Sequence, residues 1–262
     1  MIITKHIAFY YKRHRVCYVN TIIEATNKYE HTTDIFIHTN NPELLPTEFI
    51  PYTNGKIQIV FHDLSGIDPK KLIWKCRDLM FDQRNEYDIF IFVEDDILIP
   101  FKAIQYWQTY NEGLISFGYN VGFIRIEVKN DTEYITDLWG YENQLDTFIK
   151  LNNKIFCLNN KNPYCAFWIY NKNEFNKFAN SIFYDPATIE GYGIQEMGSV
   201  GLHGLSTKWY KATLIPIKNN NLMEDCKVYH LPNNYVNDNT NLFATVKFTE
   251  SIKNTGLKLY SV

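Results

Sequence analysis

The 262-residue sequence contains no C-x-x-C pair, no apolar run long enough to cross a bilayer and no surplus of positive charge. Its five cysteines (Cys17, Cys76, Cys157, Cys165 and Cys226) are odd in number and scattered. That argues against a disulfide framework or a structural zinc site and points to free thiols in a reducing compartment. The amino-terminal stretch MIITKHIAFYYKRHR reaches charge and histidine too early for a signal peptide. Without an integral membrane segment, a cytoplasmic protein is expected, soluble or peripheral at a membrane. The net charge of −3 argues against nucleic acid as the main partner, because a duplex normally demands a basic face. No linker, repeat or low-complexity stretch divides the chain, so a single domain over 1–262 is the simplest organisation.

What is present fits a globular protein with a substantial core. The chain is 45% hydrophobic and 21% charged, which rules out wholesale disorder. Aromatic residues make up 16% of it. Such rings can stack on sugars or bases, and a compositional bias toward Tyr, Phe, Ile, Asn and Lys explains them equally simply.

In the first hundred residues, short apolar runs alternate with helical patterns. HIAFYY (6–11), DIFIHTN (34–40) and KIQIVFHD (56–63) read as strands, and 15–29 as a helix with Val16, Val19, Ile22 and Ile23 on one side. A helix is predicted over 69–84, with Asp68 as its cap, Pro69 at its first position and Leu72, Cys76, Leu79 and Met80 repeating along one face. The next strand, 88–93, is apolar on both faces and so belongs in the middle of a parallel sheet. Pro100 opens a further helix. Strands alternating with helices imply right-handed βαβ units, an α/β fold and ligands gathered at the carboxyl ends of the strands. The second half has fewer clean helices and more short strands, at 122–128, 164–170 and 208–217.

At the end of the 88–93 strand stand three consecutive carboxylates, Glu94, Asp95 and Asp96. Carboxylates held that close repel one another and lose hydration, so a positive group is expected among them. Hard oxygen donors suit Mg²⁺ or Mn²⁺, ions that usually keep positions open for phosphates. The competing explanation is that Asp95 or Asp96 caps the following helix.

The segment DIFIFVEDDILIP resembles the D-x-D element of GT-A glycosyltransferases, in its E-D-D variant. The resemblance implies a GT-A-like, Rossmann-like α/β fold with a mixed, mostly parallel central sheet flanked by helices. It implies a nucleotide-binding half over about 1–100 and an acceptor-binding half over about 101–262. It makes Asp96 the principal metal ligand, with Glu94 and Asp95 completing the site. KLIWKCRDLM, one helix earlier, is similar to the place where such enzymes carry an arginine that steadies the acids or the diphosphate, a role Arg77 would take. NPYCAFWIYNKNEFNKF (162–178) resembles the acceptor-side strand leading into a helix, with the small pair Cys165-Ala166 giving close backbone approach to a sugar. EGYGIQE (190–196) resembles the G-W-G-x-E/D element, with Tyr192 in place of Trp and Gln195 in place of a frequent second acid. Glu196 then matches the general base of inverting members, Glu190 being the alternative. His230, in CKVYHLPNNY, matches the late histidine that many members bring to the metal.

By the same resemblance the nucleotide lies over the loops after the first two strands. That makes Tyr10, Tyr11, Arg13, Thr39 and Asn40 candidates for base and ribose, and Asp63 a candidate for a uracil or guanine edge. Trp139, Tyr141 and Trp168 are candidate stacking platforms for an acceptor sugar. The implied activity is metal-dependent transfer, with inversion, from a nucleotide-sugar donor, a UDP-sugar favoured, to a hydroxyl of a glycan or glycoprotein acceptor. One alternative is a sugar nucleotidyltransferase, although AFYYKRHRV lacks the glycine-rich loop that such enzymes place after the first strand. The other is a non-catalytic glycan-binding protein of the same fold.

Overall fold

The structure is a computed structural model that describes residues 1–138, 140, 144–201, 212–253 and 258–261. In chain order its strands are β1 (Ile3–Phe9), β2 (Thr33–Thr39), β3 (Ile57–Phe61), β4 (Ile89–Glu94), β5 (Ile97–Leu98), β6 (Asn120–Val121), β7 (Ile124–Lys129) and β8 (Thr132–Ile135). These are followed by β9 (Thr147–Leu151), β10 (Lys154–Asn159), β11 (Phe167–Asn171), β12 (Thr213–Lys218), β13 (Asn221–Leu222), β14 (Lys227–His230), β15 (Val246–Lys247) and β16 (Lys258–Ser261). The helices are α1 (Val16–Thr26), α2 (Leu72–Asp82), α3 (Phe101–Ile115), α4 (Lys172–Ala179), α5 (Ile194–Ser199) and α6 (Asn234–Asn237). The chain is thus mixed α/β, with several mixed sheets. It forms two compact units, Met1–Ile97 with Ala166–Leu202, and Leu98–Cys165 with His203–Val262.

In the first unit a five-stranded sheet has the order β11-β4-β1-β2-β3. The pairs β4–β1, β1–β2 and β2–β3 are parallel, as the βαβ pattern predicts. On its other side β4 meets β11 antiparallel, so this sheet is mixed and mostly parallel, with β4 in its interior. The segment Ala166–Leu202 packs with the first 97 residues because β11 completes their sheet. All six residues of β4 are buried, consistent with a central strand apolar on both faces.

The helices lie where the periodicity puts them. Helix α1 buries Val19, Ile22, Ile23 and Thr26, an i, i+3, i+4, i+7 stripe. Asp68 accepts the backbone N–H of Lys70 at 2.9 Å and opens a 3-10 turn over Pro69–Lys71 that runs into α2. Around β4 and β11 the core is aromatic: Phe90 stacks on Phe175 of α4 with ring centroids 4.1 Å apart, and Trp168 lies among Phe92, Tyr170, Phe175 and Phe178. Trp168 is 0% exposed, which withdraws it as a platform for an acceptor sugar; its ring is core, and truncating it to Ala would cost about 3–5 kcal/mol.

In the second unit a six-stranded sheet runs β13-β12-β10-β9-β16, with β6 beside β12. Its β13–β12, β12–β10 and β10–β9 pairs are antiparallel, and β9–β16 and β12–β6 are parallel. Another sheet contains the order β15-β8-β7-β14, antiparallel except for β7–β14. The strand expected at 208–217 is β12, and 208–211 lie outside the described residues.

Candidate functional site

Glu94 is the last residue of β4, and Asp95-Asp96 form the turn that follows. Neither aspartate caps a helix, since the N-cap position of α3 belongs to Pro100. Two of the three acids share a cation in the first unit. Arg15, in the connection between β1 and α1, directs Nη2 to Asp95 Oδ1 at 2.8 Å and to Asp96 Oδ2. Glu94 is 6% exposed and accepts from Gln195 Nε2 at 2.6 Å and from the Ser199 hydroxyl. Those two donors come from α5, which rests on α2 through Gly198. A Cβ there would stand 2.5 Å from Ile73 Cγ2, so only glycine lets the helix this close.

Asp95 is 4% exposed, and its Oδ2 is buried without a hydrogen-bond partner. Burial, and then the Asp96 charge, push its carboxyl well above the usual carboxylate range, with Arg15 pulling the other way and Glu94 adding to the rise. An unmatched buried oxygen of this kind asks for more positive charge than one guanidinium supplies. The oxygen donors fit a hard divalent ion, which typically takes one or two carboxylates and completes its shell with water and phosphate. Among the described residues no cluster of three or more His, Cys, Asp or Glu side chains is arranged to hold an ion.

Glu94 and Asp95 open onto a cavity of about 240 Å³ at the carboxyl ends of β1 and β4. Tyr10, Lys12, Arg15, Lys70 and Gln195 share its lining. Positive and negative groups thus face one space.

The other expected residues are distributed as follows. Tyr11 donates its backbone N–H to Asn40 Oδ1 at 2.8 Å, tying the ends of β1 and β2 together, and the buried Thr39 hydroxyl accepts the Asn41 N–H. Arg13 is exposed in the 3-10 turn Arg13–Arg15. Asp63 is exposed and accepts the Ser65 N–H at 2.9 Å, a local turn whose hydrogen bonds hold its carboxyl below the usual range. Arg77 does not steady the acids. Its guanidinium is buried and donates to the carbonyls of Phe183, Tyr184, Gly198 and Val200 at 3.0, 2.5, 3.0 and 2.9 Å. Burial lowers its pKa to about 10. The side chain fastens the 182–200 segment to α2, and so acts on the Gln195–Glu94 contact only through the backbone.

Gly193 occupies the N-cap of α5, and the Glu196 carboxylate folds back against it, so that a Cβ at Gly193 would lie 2.4 Å from Oε2. Glu190 is exposed. Cys165 and Ala166 are buried, and Ala166, at φ +57°, offers its carbonyl to the Glu94 N–H at 3.1 Å. Trp139 and Tyr141 lie outside the described residues. In the second unit, His230 ends β14 with Nδ1 2.5 Å from Glu127 Oε1, while Glu127 Oε2 accepts the Val236 N–H at 2.7 Å. A carboxylate on Nδ1 means that this nitrogen carries the N–H donated to Glu127, a contact that orients the ring as carboxylates do around metal-binding histidines.

A second polar line crosses the first unit: His6 Nδ1 meets His38 Nε2, and His38 Nδ1 meets His62 Nε2, each at 2.8 Å. The Gln83 amide oxygen, an acceptor only, lies 3.1 Å from His6 Nε2. That makes His6 Nε2 the N–H, and each following ring must then donate from Nε2 as well. Burial lowers the pKa of all three, that of His6 to about 3.

Sequence reasoning placed the acids and missed their partners Arg15, Gln195 and Ser199. No family model and no curated protein matches this chain.

Proposed function

We propose that the protein is a metal-dependent GT-A-type glycosyltransferase, moving a sugar from a nucleotide diphosphate donor, a UDP-sugar favoured, to a hydroxyl of a glycan or glycoprotein. One observation carries this reading: Glu94 and Asp95, the first two acids of a triplet at the carboxyl end of a buried central strand, face a cavity that also presents Lys12, Arg15 and Lys70. The order β4-β1-β2-β3, parallel throughout, supports it by placing the cavity where α/β sheets collect nucleotides.

In this reading Asp96 and Asp95 would hold Mn²⁺ or Mg²⁺, with Glu94 braced by Gln195 and Ser199 to keep the turn in place. Bound there, such an ion supplies Lewis-acid neutralisation of the charge that grows on the leaving diphosphate. Lys12 and Lys70 would meet the phosphates from the opposite wall, and Tyr10 the ribose or sugar. Glu196 would take the proton of the attacking hydroxyl, giving a single inverting displacement. Its position on the first turn of α5, one residue after Gln195, ties its placement to the same helix that braces Glu94.

The test is turnover with UDP-sugars and Mn²⁺. Release of UDP with a glycosylated acceptor is expected, and pyrophosphate release would favour the nucleotidyltransferase alternative. Glu196→Gln should bind donor normally and transfer at least about 100-fold more slowly; an unchanged rate removes Glu196 as the base. Sugar binding with no turnover and no metal dependence would make the chain a glycan-binding protein.

A further inference from the structure

We infer that Arg15 is a displaceable counter-ion: it holds the metal-binding edge of Asp95 and Asp96 shut until a nucleoside diphosphate draws it away, so that diphosphate and divalent ion enter as a coupled pair. The inference rests on the donor-site reading above and adds the order in which that site fills.

Three observations support it. First, both carboxylates are paired with the same nitrogen, Nη2, so a single rotation of one side chain breaks both of these ion pairs. A guanidinium has three further N–H donors on Nε and Nη1 with which to meet phosphate oxygens. Second, Arg15 is the rim residue of the group. Its side chain is 24% exposed, against 6% for Asp95 and 14% for Asp96, and it lines the cavity beside Lys12 and Lys70. The cation can therefore turn while the acids cannot. Third, Asp95 Oδ2 is buried and keeps no hydrogen-bond partner even with Arg15 in place. The resident guanidinium is thus a weaker match to the cluster than a divalent ion. An incoming metal alone must compete with it, whereas an incoming diphosphate offers it a new anion.

The experiment is a Mn²⁺ titration of the full chain followed by electron paramagnetic resonance, on wild type, Arg15→Gln and Arg15→Lys, with and without UDP. Without UDP, Arg15→Gln should bind Mn²⁺ about tenfold more tightly than wild type. UDP should tighten Mn²⁺ binding about tenfold in wild type and far less in Arg15→Gln, and the coupling must read the same when UDP is titrated at fixed Mn²⁺. Arg15→Lys, which keeps a charge but loses the fork, should fall between them and serves if the Gln variant is poorly folded. Equal Mn²⁺ affinity in all three proteins, or equal tightening by UDP, overturns the inference and leaves the donor site standing. No Mn²⁺ binding in any of them, with or without UDP, overturns the donor-site reading and this inference together.

Discussion

Arg125 of the second unit faces one carboxylate with two hydrogen bonds, Nε to Asp137 Oδ2 at 3.1 Å and Nη2 to Asp137 Oδ1 at 2.5 Å. Arg15 of the first unit faces two carboxylates with one nitrogen, and a third acid stands beside them. Nearby in the second unit, Glu127 is closed by His230 on one oxygen and by the Val236 N–H on the other, and Lys227 is held between Glu133 and Glu224. These second-unit charges are closely matched, because an unmatched ion in low dielectric costs several kcal/mol. In the first unit the matching is incomplete at two atoms, Asp95 Oδ2 at the tip of β4 and Nε of the core cation Arg77. Of the two residues, Asp95 lines the cavity, where a ligand could make up the deficit.

The comparison can be broken by performing one operation on both sides. Removing the carboxylate of a closed pair, Asp137→Ala, strands the buried Arg125 and should destabilise the chain by about 3–5 kcal/mol in urea unfolding. A loss below about 1 kcal/mol would mean that the pair is no better matched than the acid cluster.

Next in size is the response to acid. The imidazoles of His6, His38 and His62 are held neutral in the first unit, with pKa values below the unfolded value of about 6.5. The unfolded chain therefore binds more protons as pH falls through 6.5, and stability should drop below that point. The slope approaches about 1.4 kcal/mol per pH unit for each deeply buried ring, down to about 3 for His6. Unfolding followed from pH 7.5 to 4.5 would show this fall, and a flat profile would contradict the buried chain.

Arg77→Lys should cost about 2–3 kcal/mol, since a compact ammonium cannot reach the carbonyls that the fork spans, and several acceptors are left bare. It should also loosen α5 and weaken nucleotide binding secondarily. A stable variant with normal binding would show that the 182–200 segment does not depend on it.

Smallest, and opposite in sign, is Asp95→Asn. The Asp95 pKa is raised in the folded state, so its carboxyl costs stability as pH rises from its unfolded value of about 4 toward the folded one. Amide substitution should raise stability slightly at pH 7 while losing metal-dependent donor binding. Destabilisation would place Asp95 with the closed pairs of the second unit.

Much of the first unit was legible in the sequence. Two-sided apolar runs with a Pro-capped helix between them gave β1 to β4, α1 and α2, because period and capping are local properties. The antiparallel neighbour of β4 was not legible, since β11 arrives from more than seventy residues further on and nothing local names its partner. Arg77 was assigned to the site because it lies one helix before the acids. Yet Ile73, Arg77 and Met80 share a buried stripe of α2, and an arginine on that stripe is a core cation seeking carbonyls. Arg15 could have been found. Three clustered acids demand a cation, and the basic run KRHR follows the strand next to β4. That His230 is fastened to Glu127 is a long-range contact between β14 and β7, which spacing alone does not reveal.

The central claim is that the tip of β4 binds a nucleotide sugar's diphosphate together with a divalent ion. The direct measurement is the thermal midpoint of wild type and Asp96→Ala with UDP-, GDP- and dTDP-sugars, each with and without Mn²⁺, since a ligand that binds only the folded state raises the midpoint by mass action. The account predicts a rise with a UDP-sugar that needs Mn²⁺ and vanishes in Asp96→Ala. A rise independent of Mn²⁺ and retained in that variant, or no rise with any donor, would contradict it.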